Sequence, residues 1–376
     1  MQQILIHIIP VYFACYAFVS LCYGTHWSKL IKFLIAVVLL IASQYAALSR
    51  AFYYGHDGQI PHLLLVAFAW IFSVWLFIVL FSLIKDLYLT VRFLLKQNAF
   101  VHRSQLSLCV LILAILLGSF ANYSALKQPN LIEQNFEIAG LPKTFEGFKI
   151  VQISDLHASA LLGRHRNEKI VETVNALHPD LIVITGDLVD GALKSRKADL
   201  EPLAQLNAPY GVIAIEGNHE HYVAHEDWRH YFPTLKMRWL ENDYVLIQQN
   251  HQSLAIAGIT DPMAYRYQRK EPSIEQAIAG IPKGTVTILL AHQVKNSALY
   301  AQYPIALQLS GHTHGGQILG AHWLAQSLNN GWVKDRYRIG DMQLYINRGT
   351  GLWFGFPIRL GIESEITLIT LKRAEN

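Results

Sequence analysis

Four long apolar runs in the first third of this 376-residue chain constrain its fold more than any other feature. Ile4 to Tyr23 is twenty residues without a charge, and Leu30–Leu48, His62–Ile84 and Leu106–Ser124 behave alike, with Lys32 at the mouth of the second. At about 1.5 Å per residue, a helix of some twenty residues matches a hydrocarbon core of about 30 Å. Four such runs are hard to bury in a water-soluble bundle, so they predict a four-span membrane region over residues 1–126. No Lys or Arg precedes Lys29, so the first run lacks the basic start of a cleaved leader and is expected to stay as a span. Trp27, Trp70, Trp75, Tyr45, Tyr53 and Tyr54 lie in or near the runs, and those close to span ends suit an aromatic belt. No Asp, Glu, Lys or Arg stands at a span centre, which favours anchoring over transport.

Charge divides the chain and predicts an orientation. Residues 1–126 hold seven Lys/Arg and two Asp/Glu; the remainder holds 24 and 25. The overall charge of +4 therefore describes no basic domain and leaves no nucleic-acid footprint. Lys29 and Lys32 in one loop, and Lys85, Arg92, Lys96 and Arg103 in another, outnumber Arg50, Lys127 and Lys143 on the other side. The more basic loops are expected in the cytoplasm, which puts the C-terminal domain on the extracytoplasmic, periplasmic-type side. Cys15, Cys22 and Cys109 all lie in the apolar third, so the remainder has neither a disulfide framework nor a cysteine metal site.

From about Gly147 short β-branched runs alternate with polar helical stretches, the pattern of a layered α/β domain over residues 147–376. Residues 127–146 read as a linker. Lys149–Ser154, Leu181–Thr185, Val212–Glu216, Thr285–Leu290, Ile305–Ser310 and Gln343–Asn347 read as strands, with Glu363–Leu371 closing the fold. Arg166–Leu177, Ala224–Tyr231 and Ser273–Ala279 read as helices. Five strands in succession run into chemistry-bearing residues: Asp155-Leu-His157, Gly186-Asp187-Leu-Val-Asp190, Gly217-Asn218-His219-Glu220, Ala291-His292-Gln293 and Gly311-His312-Thr-His314-Gly-Gly-Gln317. In open α/β sheets the carboxyl ends of the strands form the site crevice, so these side chains are expected to converge.

Carboxylate, imidazole and amide oxygen together suit Mn, Fe or Zn, whereas calcium prefers oxygen alone. On an extended chain Asp155 and His157 point the same way and can share one ion, and His312 and His314 repeat that spacing. A carboxylate with two free oxygens, such as Asp187, can bridge two ions. Glycines beside Asp187, Asn218 and His312 let the backbone turn sharply nearby.

This ordered set resembles the calcineurin-like metallophosphoesterase superfamily, and its Gly-His-Thr-His-Gly-Gly and Ala-His-Gln versions resemble the membrane-anchored or exported bacterial branch. The four-span front resembles transmembrane proteins with a metallophosphoesterase domain. The resemblance covers about Gly147 to Leu371. It implies a four-layer α/β/β/α sandwich behind an all-α membrane region, and hydrolysis of phosphoric esters with two divalent metal ions. It further implies that Asp155, His157 and His314 hold one metal, that Asn218, His292 and His312 hold the other, and that Asp187 bridges them. His219 is then the catalytic residue near the scissile phosphate, with Asp190 and Glu220 in support.

The remaining features are weighed against blander readings. His221, His225 and His230 follow the Gly-Asn-His-Glu motif at near-helical spacing, as a polar helix face or as residues in the substrate's path. His165, His178, His251 and His322 read as surface or loop residues. Trp353-Phe354-Gly355-Phe356-Pro357, with Trp323, Leu324 and Trp332, is either hairpin packing or a greasy rim that touches lipid. Arg348 and Arg359 hold a second phosphate or pair with nearby acids. No Gly-x-x-x-x-Gly-Lys-Ser/Thr loop, no Gly-x-Ser-x-Gly elbow and no His-Glu-x-x-His pair occurs, since position 223 is Val. The expected function is an integral membrane dinuclear-metal phosphohydrolase acting on a phosphomonoester or phosphodiester, with a lipid-linked substrate fitting best. The alternatives are a soluble nucleotide phosphodiesterase or pyrophosphatase, and a membrane sensor that only binds a phosphorylated ligand. No protein partner is inferable.

Overall fold

The computed structural model describes residues 2–53, 60–97 and 102–374. The chain forms two compact units, Met1–Leu126 and Lys127–Asn376.

The first unit is helical: α1 (Gln2–Cys22), α2 (Lys29–Ser43), α3 (Tyr45–Tyr53), α4 (His62–Leu94) and α5 (Arg103–Leu126). Among the described residues three segments are long and apolar enough to cross a membrane, Lys29–Ser49, His62–Leu94 and Arg103–Leu126; the apolar stretch of α1, His7–Cys22, is shorter. Burial in this unit runs opposite to that of a water-soluble bundle. Small residues such as Ala17, Ala69, Ser73, Ala114 and Ala121 are inside, while Leu30, Phe33, Leu63 and Leu116 face outward. Small residues let helix backbones approach closely, as in membrane bundles. A Cβ on Gly118 of α5 would come 2.8 Å from the Val74 Cα of α4.

One expectation changes here. The residues after the third run are not all loop, because α4 continues past Ile84 to Leu94 and carries Lys85, Asp86 and Arg92 on the helix. Lys85 is buried and donates to the Ser20 carbonyl, and Tyr16 donates to Asp86 at 2.9 Å. Trp70 and Trp75 lie within α4: Trp75 is buried beside Phe72, and Trp70 donates to Ser119 Oγ at 2.8 Å. Tyr54, and the side chains of Arg50 and Tyr53, lie outside the described residues.

The second unit contains β1 (Asn130–Ile138), β2 (Lys149–Ile153), β3 (Leu181–Thr185), β4 (Val212–Ile215), β5 (Met237–Trp239), β6 (Asp243–Gln249), β7 (Gln252–Gly258), β8 (Val286–Leu290), β9 (Leu307–Ser310), β10 (Asp335–Ile339), β11 (Met342–Ile346) and β12 (Glu365–Arg373). Its helices are α6 (Arg164–Ala176), α7 (Leu193–Leu200), α8 (Asn218–Tyr222), α9 (His225–Tyr231), α10 (Ile274–Ile278), α11 (Ser297–Tyr300) and α12 (His322–Leu328). The strands form two six-stranded sheets, ordered β1-β12-β2-β3-β4-β5 and β10-β11-β9-β8-β7-β6. β2 to β5 run parallel in the first, and β7, β8, β9 and β11 run parallel in the second.

Alternation along the strands stacks these sheets. Leu181 and Val183 of β3 face a core shared with Ile256, Ile288, Leu290 and Leu309 of the second sheet. Ile182 and Ile184, one residue out of phase, face Ile170, Val174, Trp228 and Phe232 on the helical side. On the far side of the second sheet, Ala257 and Leu289 pack against Ile274, Ala277 and Tyr300. The result is an α/β/β/α sandwich, as expected. Residues 127–146, expected to be a linker, contribute instead the edge strand β1, paired in parallel with β12 along its whole length.

Candidate metal centre

The five motif loops leave the carboxyl ends of β2, β3, β4, β8 and β9, three from one sheet and two from the other. Asp155, His157 and His314 bring ligand atoms within 4.8 Å of one another. Asp187, His292 and His312 do the same, as do His157, Asp187 and His219. Asp187 is thus common to two groups and lies between the others. His314 Nε2 is 3.3 Å from Asp155 Oδ1, and His157 Nε2 is 3.6 Å and His292 Nε2 3.2 Å from Asp187 Oδ2. Asn218 joins through its oxygen, 3.2 Å from His292 Nε2.

The convergence does not arise on extended chain. Asp155, His157, Asp187, His312 and His314 have φ of 51, 45, 53, 70 and 49°. Left-handed backbone costs a non-glycine residue roughly 1–3 kcal/mol and persists only where the surroundings impose it. Here the Asp155 and His157 amides donate to Gly186 and Asp187 carbonyls at 3.0 Å, tying the β2 loop to the β3 loop. The two residues of His312-x-His314 go to different groups rather than sharing one ion. Gly186 turns with φ 89°, as expected, whereas the other two glycines act differently. Gly217 and Gly311 have ordinary φ, but a Cβ on Gly217 would collide with the Asp187 carboxylate and one on Gly311 with Ser154 and Asp155. They are required by close approach rather than by a turn.

The neighbouring hydrogen bonds fix which ring nitrogens face inward. His292 Nδ1 lies 2.7 Å from the Thr185 carbonyl, which only accepts, so this nitrogen carries a proton and Nε2 is the atom that faces Asp187 and Asn218; burial opposes charge on this ring, yet Asp187, Asp155 and Asp261 raise it well above the usual histidine range. The Asn218 amide donates to Tyr222 Oη at 3.1 Å, which turns its oxygen toward His292. Facing these two acceptor oxygens, Nε2 is satisfied by a proton in the metal-free protein, and the same position suits a metal ion once that proton is released. His157 and His219 both direct Nδ1 at one oxygen of Asp190, at 2.9 and 2.6 Å. Such outer partners orient metal-binding imidazoles.

The charges agree. Burial works to raise Asp190, but His157 and His219 beside it hold its carboxyl at about 2. Burial opposes charge on His157, yet Asp190, Asp187 and Asp155 raise it to about 9. Burial, with His292 nearby, lowers His312 to about 3. Burial, with His157 and Arg359, keeps His314 neutral. A carboxylate flanked by imidazoles whose Nε2 atoms turn inward is a donor set that fits divalent metal ions once the charged rings give up their protons.

Glu220 supports this arrangement from beneath. It is buried and accepts the amides of Asp187 (3.0 Å), Leu188 (2.7 Å) and Gly217 (2.7 Å). His221 and His225 correct the helix-face reading. The helix breaks at Ala224 (φ 53°), and both rings are buried, stacked at 4.6 Å, each 3.0 Å from a Glu216 oxygen. Arg269 donates to His221 Nδ1 at 3.0 Å, so His221 carries its proton on Nε2 and gives it to Glu216. That trio is closed by hydrogen bonds, although its ligand atoms also lie within 4.8 Å of one another.

Sequence reasoning missed Asp261. It is buried, receives the Gln293 amide at 2.9 Å, and is raised to about 7 by burial with a contribution from Asp187. Its flanking Thr260 and Pro262 carry no motif, so only the fold reveals it. Arg359 is fully buried and donates to the Arg348 and Gly351 carbonyls, so it holds no phosphate. Arg348 pairs with Asp335 and Glu365. Trp332 packs on Tyr337, whereas Trp323, Leu324 and Trp353 are exposed; the Phe354 side chain lies outside the described residues.

Imidazoles and carboxylates gathered over the strand ends of an α/β/β/α sandwich define the metal-dependent phosphoesterase class. The calcineurin-like phosphoesterase family model matches residues 148–316. A "Transmembrane protein with metallophosphoesterase domain" from Danio rerio is 33% identical over 273 residues, 70% of this chain and 62% of that protein. A metallophosphoesterase of Bacillus subtilis, YkuE, is 30% identical over 69% of this chain and 92% of its own length. A metallophosphoesterase of Helicobacter pylori is 35% identical over 68% of each chain. The solved structure of an archaeal phosphodiesterase, at 15% identity and a TM-score of 0.31 over 56% of this chain and 87% of that chain, is too distant to argue from. The chain belongs to the calcineurin-like phosphoesterase family. It spans 62% of the Danio rerio relative and 59% of the Bos taurus one.

Proposed function

We propose that this protein is an integral membrane phosphohydrolase that uses two divalent metal ions to cleave a phosphomonoester or phosphodiester. The observation that carries this reading is the position of Asp187 between Asp155–His157–His314 and His292–His312. In this reading Asp155, His157 and His314 hold one ion; Asn218, His292 and His312 hold the other; Asp187 bridges them. When bound, such a pair polarises the phosphoryl group and lowers the pKa of the attacking water.

The chain's own groups supply the rest. Asp190 accepts from His219 Nδ1 and so orients that ring, leaving Nε2 4.0 Å from Asp187; in its doubly protonated form the ring would give the Nε2 proton to the leaving oxygen and return to neutral imidazole. Glu220 keeps the Asp187 and Gly217 backbone in place. Mn, Fe and Zn all suit the donor set.

Residues 1–126 act as the membrane anchor with four spans, and residues 127–376 as the catalytic unit. The outward-facing large apolar side chains of the helices support the anchor. The basic loops support an extracytoplasmic catalytic unit, testable by protease protection of a C-terminal tag in sealed vesicles. A lipid-linked phosphate is the substrate class that membrane attachment favours.

The test is hydrolysis of a chromogenic phosphodiester by the full chain in detergent, with Mn, with chelator, and as Asn218→Ala. Activity is expected to need the metal and to fall at least about tenfold in the variant. Turnover indifferent to both would overturn the two-metal reading, and a folded, metal-loaded protein that binds phosphate without turnover would favour a sensor.

A further inference from the structure

The segment after the Gly-His-Thr-His motif is unlike the rest of the C-terminal unit. From Gly315 to Val333, and again from Gly349 to Ile358, there is no charged residue. Uncharged runs also occur elsewhere in this unit, as over 202–215 and 244–260, so absence of charge by itself marks no surface. Yet this segment is at the surface. Leu319, Trp323, Leu324, Leu328 and Trp353 are 66, 69, 65, 61 and 57% exposed. α12, which carries three of them, buries none of its residues. A two-turn helix gains little stability by itself and normally needs an apolar face packed on something.

The two runs form one structure fixed to the metal centre. Leu319 donates to the Leu360 carbonyl at 2.8 Å and Leu360 to the Gln317 carbonyl at 2.9 Å. Gln317 Oε1 accepts the Trp353 amide at 2.9 Å, and its Nε2 donates to the Ile358 carbonyl at 3.3 Å. Gln317 stands three residues after His314. The apolar side chains therefore form a lip rooted in the loop that bears His312 and His314.

We propose that this lip contacts the lipid bilayer and presents the metal centre to phosphate groups at its surface. The proposal rests on the phosphohydrolase reading above and names the surface through which a lipid-linked substrate is taken. The chain itself points to the occupant, because α5, long and apolar enough to cross a bilayer, ends only three residues before β1 begins. Exposed Trp beside Leu, with no charge of either sign, suits the interfacial zone, where Trp is enriched and charge is disfavoured. Headgroup phosphates lie at that depth, so a lip seated there brings them to the residues beside it.

The test uses the full chain in phosphatidylcholine vesicles doped with phosphatidic acid, with Cys15, Cys22 and Cys109 replaced by Ser. A spin label at Leu324→Cys is expected to be accessible to oxygen and shielded from an aqueous nickel complex. A label at Lys283→Cys, an exposed charged position of the same unit, is expected to show the reverse. Equal behaviour at the two positions overturns the proposal. Spin–spin broadening at position 324 that persists in detergent also overturns it, by making the lip a contact with a second copy. In parallel, W323D/L324D is expected to raise the apparent KM for vesicle phosphatidic acid about tenfold or more, with hydrolysis of a soluble chromogenic diester unchanged. Loss of the soluble activity in the unaltered protein would strike the phosphohydrolase reading instead, and the spin-label result would still decide the lip.

Discussion

Asp187 and its neighbours carry the most directly testable chemistry. In the metal-free protein His157 is raised to about 9, because Asp190, Asp187 and Asp155 outweigh the burial that opposes its charge. At pH 7 this ring holds a proton that a metal must displace. Metal binding at pH 7 should therefore release protons, and affinity should rise with pH toward about 9 and weaken as pH falls. Calorimetric Mn titration in buffers of different ionisation enthalpy measures the release; an enthalpy independent of buffer would contradict it. Glu220 gives a second case. Its carboxylate accepts three backbone amides, and Glu220→Gln would turn an amide NH2 toward at least one of them. A buried unsatisfied donor costs about 1–3 kcal/mol, so the variant should melt several degrees lower, and an unchanged Tm would sink this account. The identities of the site residues were legible because each follows a β-branched run. Their left-handed backbone was not, because a single φ is imposed by bonds to distant carbonyls such as Gly186 O rather than by adjacent residues. Nor was the Glu216–His221–His225 trio, since nothing local distinguishes a buried imidazole from a solvated one.

At the scale of elements, the buried strands were the readable ones. β3 and β8 are buried at every position and read as continuous apolar runs. β1 reads as a linker because most of it is half-exposed; only Phe136 and Ile138, at its end, are buried. Its partner β12 begins at Glu365, so no local signal announces the pairing. The hairpin β6–β7 is hidden for a related reason: its first strand is mostly part-exposed, and its tight turn, Asn250-His251, lacks the usual glycine. The energetics nevertheless make β1 part of the domain. Phe136 is fully buried, edge-on to Tyr345 at 5.9 Å, with the Arg336 guanidinium 3.9 Å from its ring. Phe136→Ala should destabilise the unit by about 3–5 kcal/mol, with metal affinity of the folded fraction unchanged. Denaturant unfolding followed by fluorescence would measure this, and a loss under about 1 kcal/mol would mean that β1 is dispensable. A truncated domain beginning at residue 143 would lack this strand altogether.

For the whole molecule, the number of spans decides on which side of the membrane the phosphoesterase unit works. Among the described residues three helical segments meet the length and composition of a span, and α1 is the deciding element. α1 is 21 residues long, about 31 Å at 1.5 Å per residue, and Pro10 inside it is the kind of helix breaker that membrane helices tolerate. Its described side chains place Ala14, Ala17 and Leu21 inside and Ile8, Tyr12 and Val19 outside, the same inverted pattern as its neighbours. If α1 spans, the count is four and both chain ends share one side. If it lies along the interface, the count is three and the ends are opposed. The inverted burial favours four, and Lys29, Lys32, Arg92, Lys96 and Arg103, near the α1–α2 and α4–α5 connections, would then put both ends outside the cytoplasm. Tags placed at the two ends in turn should both be cleaved by protease added to intact spheroplasts. Cleavage of one tag alone would remove α1 from the set of spans, while protection of both would keep the four spans and reverse the orientation, placing the metal centre in the cytoplasm.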